Sequence, residues 1–520
     1  MYPGEHARAN PDRVALDFVD LGLQLTYSEF ESRVNQTAHL FRDMGLERGD
    51  HVAFLAENHP VLPLCNAAAE RTGLIYTPIN HHLAIDQVAY IVNDCQAQVV
   101  VTTAGQIDLA AGLPARCPGV RRWLMAGAAP AAQPYQDYGD AIAGLPVSPV
   151  DDERMGVAML YSSGTTGRPK GVLRAYPDAH PGEPSGRYEF SQMLFRMREG
   201  MVYLSPAPLY HSAPHGGVST TLRLGGTAVV MDRFDAGRFL ELVGKHRVTH
   251  TQVVPTMFSR LLALPEDVRR AADISSLEHV IHAAAPCPVH VKERMIDWFG
   301  PIIEEYYSAS EANGATTCDS VEWLARKGTV GRAILGQPHI LDDEGRPCAP
   351  GQIGTIWFGG ANNFVYFNDP EKTESSRDAT GQLTSVGDVG YLDDDGYLFL
   401  TDRKSMMIIS GGVNVYPQET ENVLIAHECV EDVAIIGVPH ADLGEQVKAV
   451  VQLVGGVSPS DELAAELIAY CRDRISHIAC PRSVDFDPRL PRLPTGKLAK
   501  RLVRDRYWPA AGGMSAHSAR

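Results

Sequence analysis

Apolar positions along the first part of the chain switch between two periods. Phe30, Val34, Ala38 and Phe41 recur at helical spacing. Ahead of them, Thr26-Tyr27-Ser28-Glu29 reads as a capping box, with Thr26 as N-cap and Glu29 at the third helical position, and Gly45 follows as a stop. Val52-Ala53-Phe54-Leu55 reads as a buried strand. Residues 65–71 then predict a helix, 74–77 a strand, 85–93 a helix and Gln98-Val99-Val100-Val101 a strand. This β-α-β alternation predicts a parallel, doubly wound sheet. Further strands are expected at 157–160, 202–204, 228–231, 252–254, 397–401 and 433–438. Repeated aliphatics at these places predict core, not chemistry.

The chain has 520 residues, enough for two or more cores. Its net charge of −17 argues against a general nucleic-acid binder, which needs a basic face. The nine cysteines are scattered and form neither a CxxC nor a Cys/His cluster, so the sequence indicates no zinc site and no disulfide framework. A reducing cytoplasm fits that usage. Met1-Tyr2-Pro3-Gly4-Glu5 lacks a basic region followed by an apolar core, so no signal peptide is expected, and no apolar run is long enough to span a bilayer. The last residues, 509–520, read as a disordered tail.

One stretch carries chemistry: Tyr161-Ser162-Ser163-Gly164-Thr165-Thr166-Gly167-Arg168-Pro169-Lys170-Gly171. Apolar residues flank it on both sides, so it reads as strand, glycine-rich loop, strand. Glycines let a backbone approach a polyphosphate closely, hydroxyls add donors, and Lys170 adds a point charge. It is not a Walker loop, because Pro169 precedes Lys170 and Gly171 follows it. The run resembles the phosphate loop of the adenylate-forming enzymes, which include acyl-CoA synthetases, luciferases and the adenylation domains of peptide synthetases. The resemblance implies that Ser162, Ser163, Gly164, Thr165, Thr166, Gly167 and Lys170 bind nucleotide.

Other segments resemble the same family in the same order. Pro206-Ala207-Pro208-Leu209-Tyr210-His211 matches the segment that meets the substrate carboxylate. His211 would contact or orient that group, and Tyr210 would be the aromatic that moves to admit the second substrate. His215 has no counterpart and is left unassigned. The turn Ala283-Ala284-Ala285 before Pro286 would lie against the base, with Ala284 and Ala285 nearest to it. In Tyr306-Tyr307-Ser308-Ala309-Ser310-Glu311, Tyr307 would stack near adenine, Ser310 would reach a phosphate, and Glu311 would hold Mg²⁺ together with Ser162. Ser308 stands where the family has Gly, which puts strain there if the position needs a positive φ. Asp388 would accept hydrogen bonds from the ribose hydroxyls, and Arg403 would contact ribose or phosphate. Ser405 occupies the hinge position, with Met406 after it in place of a frequent acidic residue. Gly411 and Gly412 would flank the pantetheine of coenzyme A. Pro491-Arg492-Leu493-Pro494-Thr495-Gly496-Lys497 matches the catalytic-lysine loop.

The resemblance covers nearly the whole chain. It implies an α/β protein with a large N-terminal adenylation domain of doubly wound sheets (1–402), a hinge at 403–405 and a small mobile α+β C-terminal domain (406–508). It implies a ligase that uses ATP and Mg²⁺ to convert a carboxylic acid to acyl-AMP and then to a CoA thioester, with Lys497, His211, Glu311 and Lys170 as the catalytic set. The small residues Ala213, Gly216, Gly217, Val254, Ala283 and Ala309, with Tyr210 and His211, would line the acyl pocket. Side-chain size suggests a bulky or cyclic acid, such as a steroid or bile-acid side chain or an aryl acid, with a medium-chain fatty acid as runner-up. A ligase loading an acyl carrier protein and a non-catalytic acyl- or nucleotide-binding protein stay open, as does a homodimer. The proline-rich segment 174–186 reads as an exposed loop, either shaping the substrate mouth or decorating the surface.

Overall fold

The computed structural model describes residues 2–127, 134–162, 168–176, 178–184, 186–360, 364–403, 406–411, 413–440, 442–492 and 498–508, without the side chains of Arg187 and Arg403. The predicted capping box starts helix Tyr27–Asp43: Glu29 N–H donates to Thr26 Oγ1, and Thr26 N–H donates to Glu29 Oε2 at 2.9 Å. Phe30, Val34, Ala38 and Phe41 on that helix are fully buried. The next helix runs Val61–Arg71 and starts earlier than its sequence pattern suggests. Pro60 and Pro63 sit in its cap and first turn, where a missing N–H costs no helical hydrogen bond.

The β-α-β run forms the expected sheet. Strands Gln136–Asp137, Arg122–Ala126, Val99–Thr103, His51–Leu55, Ile75–Ile79 and Val157–Ala158 lie side by side, all parallel. A larger sheet has a parallel half, Val14–Phe18, Thr227–Val230, Val202–Ser205, His250–Val253, His279–His282 and Ile303–Ser308. It turns antiparallel from Ala315–Cys318 onward. A small third sheet pairs Leu160–Ser162 with Lys170–Arg174, and Lys170–Arg174 with Phe364–Tyr366. Strands from Ile408–Ser410 onward build a separate sheet with its own apolar core around Ile408, Ile435, Val447 and Leu467. Among the described residues, no helix is long and apolar enough to cross a membrane.

The described residues of the 174–186 segment are mostly exposed, as expected, but the segment is anchored at His180 and Pro181. Pro181 is buried, its carbonyl accepts from the Arg223 guanidinium, and His180 Nε2 lies 2.8 Å from buried Glu153 Oε2. Composition alone marked it as exposed, but buried charged groups on neighbouring elements give its polar atoms partners.

Candidate active site

In the parallel half of the large sheet, neighbouring strands end at one edge. Val202–Ser205 runs into the segment carrying Tyr210 and His211, and His250–Val253 into Val254. His279–His282 runs into Ala283-Ala284-Ala285, and Ile303–Ser308 into Ala309, Ser310 and Glu311. Crevices outside the carboxyl ends of such strands are where open α/β sheets bind ligands. The topology therefore gathers segments separated by a hundred residues or so onto one rim.

At one side of this rim the Tyr307 hydroxyl donates to Asp388 Oδ2 at 2.7 Å, and Asp388 is buried. Asp388 pairs across the strands with the backbone of Arg403, so the sheet register holds these two positions together. Ser308 carries no strain: it has no positive φ, it lies within strand Ile303–Ser308, and its Oγ donates to the Gly314 carbonyl at 2.8 Å. The left-handed backbone occurs instead at Ala284, with φ 76°, and at Ala312, with φ 51°. A non-glycine residue held there marks local strain of the kind that gathers at ligand sites.

The strands that flank the glycine-rich run pair antiparallel, with Ser162 across from Lys170. Residues 163–167 lie outside the described part. Lys170 Nζ is 2.6 Å from Asp369 Oδ2, and its hydrogen bond, with that of the Lys372 backbone N–H, holds the Asp369 carboxyl below the usual carboxylate range. Tyr366, from the strand paired with the hairpin, donates its hydroxyl to buried Glu311 Oε1 at 2.7 Å. The small third sheet thus docks Glu311 beside the hairpin. Sequence reasoning found Lys170 and Glu311 but missed Asp369 and Tyr366, because nothing near them in the chain marks them as partners of the hairpin. Glu311 and Ser162 present a carboxylate and a hydroxyl, hard oxygen donors whose chemistry fits Mg²⁺.

Elsewhere on the rim, His211 is the N-cap of helix Ser212–Arg223 with extended backbone, and its side chain makes no capping hydrogen bond. The Tyr210 ring lies 4.3 Å from His211 and 5.4 Å, edge-on, from His81. Burial lowers His81 to about 4, which keeps it neutral near pH 7. His81 was also missed; it follows strand Ile75–Ile79 of the other sheet, so only the packing of the two sheets brings it near Tyr210. His215 receives a local partner: its Nε2 is 2.8 Å from the Tyr76 hydroxyl, and the rings stack.

Gly216 faces open space, whereas Gly217 does not line a pocket. A Cβ at Gly217 would fall 2.4 Å from the hydroxyl of fully buried Tyr203. Gly217 is small so that the helix can close on the sheet. Gly217→Ala is expected to lower stability by about 1–3 kcal/mol through overpacking. Gly216→Ala, with free space and better helix propensity, should be neutral or stabilising. Urea unfolding of the two variants distinguishes these positions. Ala213, Val254 and Ala309 are partly exposed on the rim, Ala284 is exposed, Ala285 and Ser310 are partly exposed, and Ala283 is buried.

Beneath the rim lies a buried ionic cluster that the sequence did not disclose. Lys292 Nζ is 2.5 Å from Glu305 Oε2 and 4.7 Å from the Trp323 ring, and His282 Nε2 is 3.5 Å from the same carboxylate oxygen. His282 and Glu305 are cross-strand partners just before Ala283 and Tyr306. Burial raises the Glu305 carboxyl and pushes His282 well down. In the C-terminal part, Gly411 has φ 59° and donates its N–H to the Leu443 carbonyl at 2.9 Å. Lys404, Ser405, Gly412, Lys497 and residues 509–520 lie outside the described residues.

Large doubly wound sheets followed by a separate small C-terminal sheet are the architecture of the adenylate-forming enzymes. The chain belongs to the AMP-binding enzyme family: that family's model matches residues 4–365, and the AMP-binding enzyme C-terminal domain matches 419–497. It is 33% identical over 514 residues to a feruloyl-CoA synthase of Amycolatopsis sp., covering 97% of this chain and 98% of that one. It is 30% identical over 501 residues to a long-chain-fatty-acid–CoA ligase of Mycobacterium tuberculosis, covering 93% of each. Among solved structures it resembles ATP-bound MatB of Rhodopseudomonas palustris, with TM-score 0.81 and 27% identity over 98% of this chain and 99% of that one. It also resembles the amide bond synthetase McbA of Marinactinospora thermotolerans, with TM-score 0.82 and 26% identity over 97% and 100% of the two chains.

Proposed function

We propose that the protein is an ATP-dependent carboxylic acid–CoA ligase. The observation that carries this reading is the single rim that joins Tyr307–Asp388, Glu311–Tyr366 and the Ser162/Lys170 hairpin, on a chain whose relatives include acyl- and aryl-CoA ligases. A carboxylate is a poor electrophile because its leaving group would be oxide. In the first step its oxygen attacks the α-phosphorus of ATP. The bond to the β-phosphate oxygen breaks, and pyrophosphate leaves. In the second step the CoA sulfur, having lost its proton, attacks the acyl carbonyl; the bond to the phosphate oxygen breaks and AMP leaves.

Asp388 would accept from the ribose hydroxyls, with the Tyr307 hydroxyl fixing one of its oxygens. Ala284 and Ala285 would lie against the base, and Ser310 and Arg403 would contact phosphate or ribose. Charge gathers on the phosphate oxygens in the first transition state, so fixed positive charge there lowers the barrier. Lys497 would supply that charge, Lys170 with the hairpin would hold the departing pyrophosphate, and His211 would orient the attacking carboxylate. When bound at Glu311 and Ser162, Mg²⁺ would offset negative charge on the phosphates. The part from 406 to 508 would turn about 403–405, withdrawing Lys497 and presenting Gly411 and Gly412 to the pantetheine. The Tyr210 ring is held by packing against His81 and His211, which suits a group that must shift to admit the thiol.

Open space at Gly216, partly exposed Ala213 and Ala309, and similarity to a feruloyl-CoA synthase support an aryl or other ring-bearing acid as substrate. Incubation of ATP with a panel of acids, with and without CoA, tests both levels of the reading. AMP, pyrophosphate and an acyl-CoA from ring-bearing acids are expected, detected by mass. A large kcat/KM advantage for straight-chain acids would overturn the substrate class. Adenylate that never reaches CoA would overturn the acceptor and point to a carrier thiol or an amine. No acid-dependent AMP would overturn the reaction.

A further inference from the structure

At the opposite end of the same parallel strands stands a cluster that the adenylation chemistry does not use. His250 opens strand His250–Val253 and His279 opens strand His279–His282; the two are paired in register, and their rings lie 5.1 Å apart. Glu278 precedes His279. One ligand atom from each of His250, Glu278 and His279 lies within 4.8 Å of the others. We propose that these three side chains form a binding site for a divalent transition-metal ion.

The hydrogen bonds around the two imidazoles carry the argument. His250 Nε2–H donates to the Arg196 carbonyl at 3.1 Å, and His279 Nδ1–H donates to Glu304 Oε1 at 3.1 Å. Each ring therefore has one nitrogen fixed as a donor to an oxygen, which puts the lone pair on the other nitrogen. That is the arrangement by which outer partners orient metal-ligating histidines and fix their tautomer. The lone pair of His250 is on Nδ1, 2.8 Å from Thr249 Oγ1, so metal binding requires the Thr249 side chain to turn aside and give up its contacts with the Val202 backbone.

Access and charge agree with this reading. His250 is fully buried, while the side chains of His279 and Glu278 are 25% and 40% exposed, so the third and fourth positions face solvent. Arg198 pairs with Glu278 and Arg196 with Glu304, yet both guanidiniums are at least half exposed and can turn to water when a cation takes Glu278. Two imidazoles and one carboxylate suit Zn²⁺, Co²⁺ or Ni²⁺, with water in the open position, and disfavour Mg²⁺ and Ca²⁺, which prefer all-oxygen shells. Bound metal would staple the two strands to the turn at Arg196, a residue whose φ of 48° already holds that turn in a left-handed bend.

The test uses the full chain stripped with a chelator. Titration with Co²⁺ is expected to give saturable ligand-field absorption from one equivalent, displaced by Zn²⁺ but not by a tenfold excess of Mg²⁺. Zn²⁺ should raise the melting temperature. His279→Ala and Glu278→Gln, both at accessible positions, should weaken Co²⁺ binding at least tenfold, with the metal-free melting temperature and acid-dependent AMP formation kept as controls of folding. Absence of saturable binding, displacement by Mg²⁺, or affinity unchanged in both variants would overturn the site.

Discussion

Lys497→Ala is expected to slow adenylate formation by about 10²–10³-fold, the loss typical of removing one fixed charge or donor from a transition state, while leaving the conversion of a supplied acyl-adenylate to its thioester near the wild-type rate. The reason is the timing of charge. Displacement at the α-phosphorus, with charge gathered on its non-bridging oxygens in the transition state, takes place only in the first half-reaction, where about 2.7–4 kcal/mol of stabilisation would be lost. In the second half-reaction the developing charge sits on the acyl oxygen and the leaving AMP, and the lysine loop would have turned away. Single-turnover assays of the two half-reactions read the two rates separately. Equal losses in both would show that Lys497 stays at the site throughout, and the proposed rotation about 403–405 would fall with that result.

The second large effect concerns stability. Lys292→Met is expected to destabilise the large domain by about 3–5 kcal/mol at neutral pH, because it leaves the buried Glu305 carboxyl without its cation, so that the carboxyl must either stay charged and unpaired or take up a proton. Lys292 is fully buried, its ammonium touches Glu305 Oε2, and Trp323 covers it. Lys292→Met combined with Glu305→Leu should recover most of the loss, since replacing both members of a buried pair by apolar groups is often neutral. The pH dependence has a defined sign. Burial already raises the Glu305 carboxyl above its ordinary value, and removing Lys292 takes away the group that lowers it. The folded variant then holds a proton that the unfolded chain gives up. Its deficit relative to wild type should therefore be smallest below the unfolded carboxylate pKa and grow as pH rises through the folded one. Urea unfolding at several pH values measures this. A pH-independent deficit, or no recovery in the double variant, would mean that the loss comes from lost packing of the lysine stem instead.

Candidate site residues can be picked out along the chain where the chemistry they suggest depends on local order. A capping box, a hydroxyl- and glycine-rich run ahead of Lys170, and a Glu311 a few residues beyond Tyr307 are each set by neighbours along the backbone, and period-two and period-3.6 patterns follow from strand and helix geometry alone. The parallel sheet at Val52–Leu55 and Val99–Thr103 was legible for the same reason. Ser308 and Gly217 mark where that reasoning stops. Whether a position needs a glycine depends on its φ and on what stands over its Cα, and for Gly217 that is Tyr203 from another element. Size read along the chain assigned Gly217 to a pocket; packing assigns it to a helix–sheet contact.

Partnerships between distant residues belong to the folded molecule. Asp369 with Lys170, Tyr366 with Glu311, His81 with Tyr210 and Lys292 with Glu305 all join elements that the sheet order brings together. No local spacing encodes such pairs, since one strand register places residues far apart in sequence side by side and a different register would separate them. The sequence therefore specifies which groups can do chemistry and which faces bury. The crossing of strands and sheets specifies which carboxylates are held, which histidines stay neutral and which small residues leave room, because burial and a partner within hydrogen-bond distance are properties of three-dimensional neighbours.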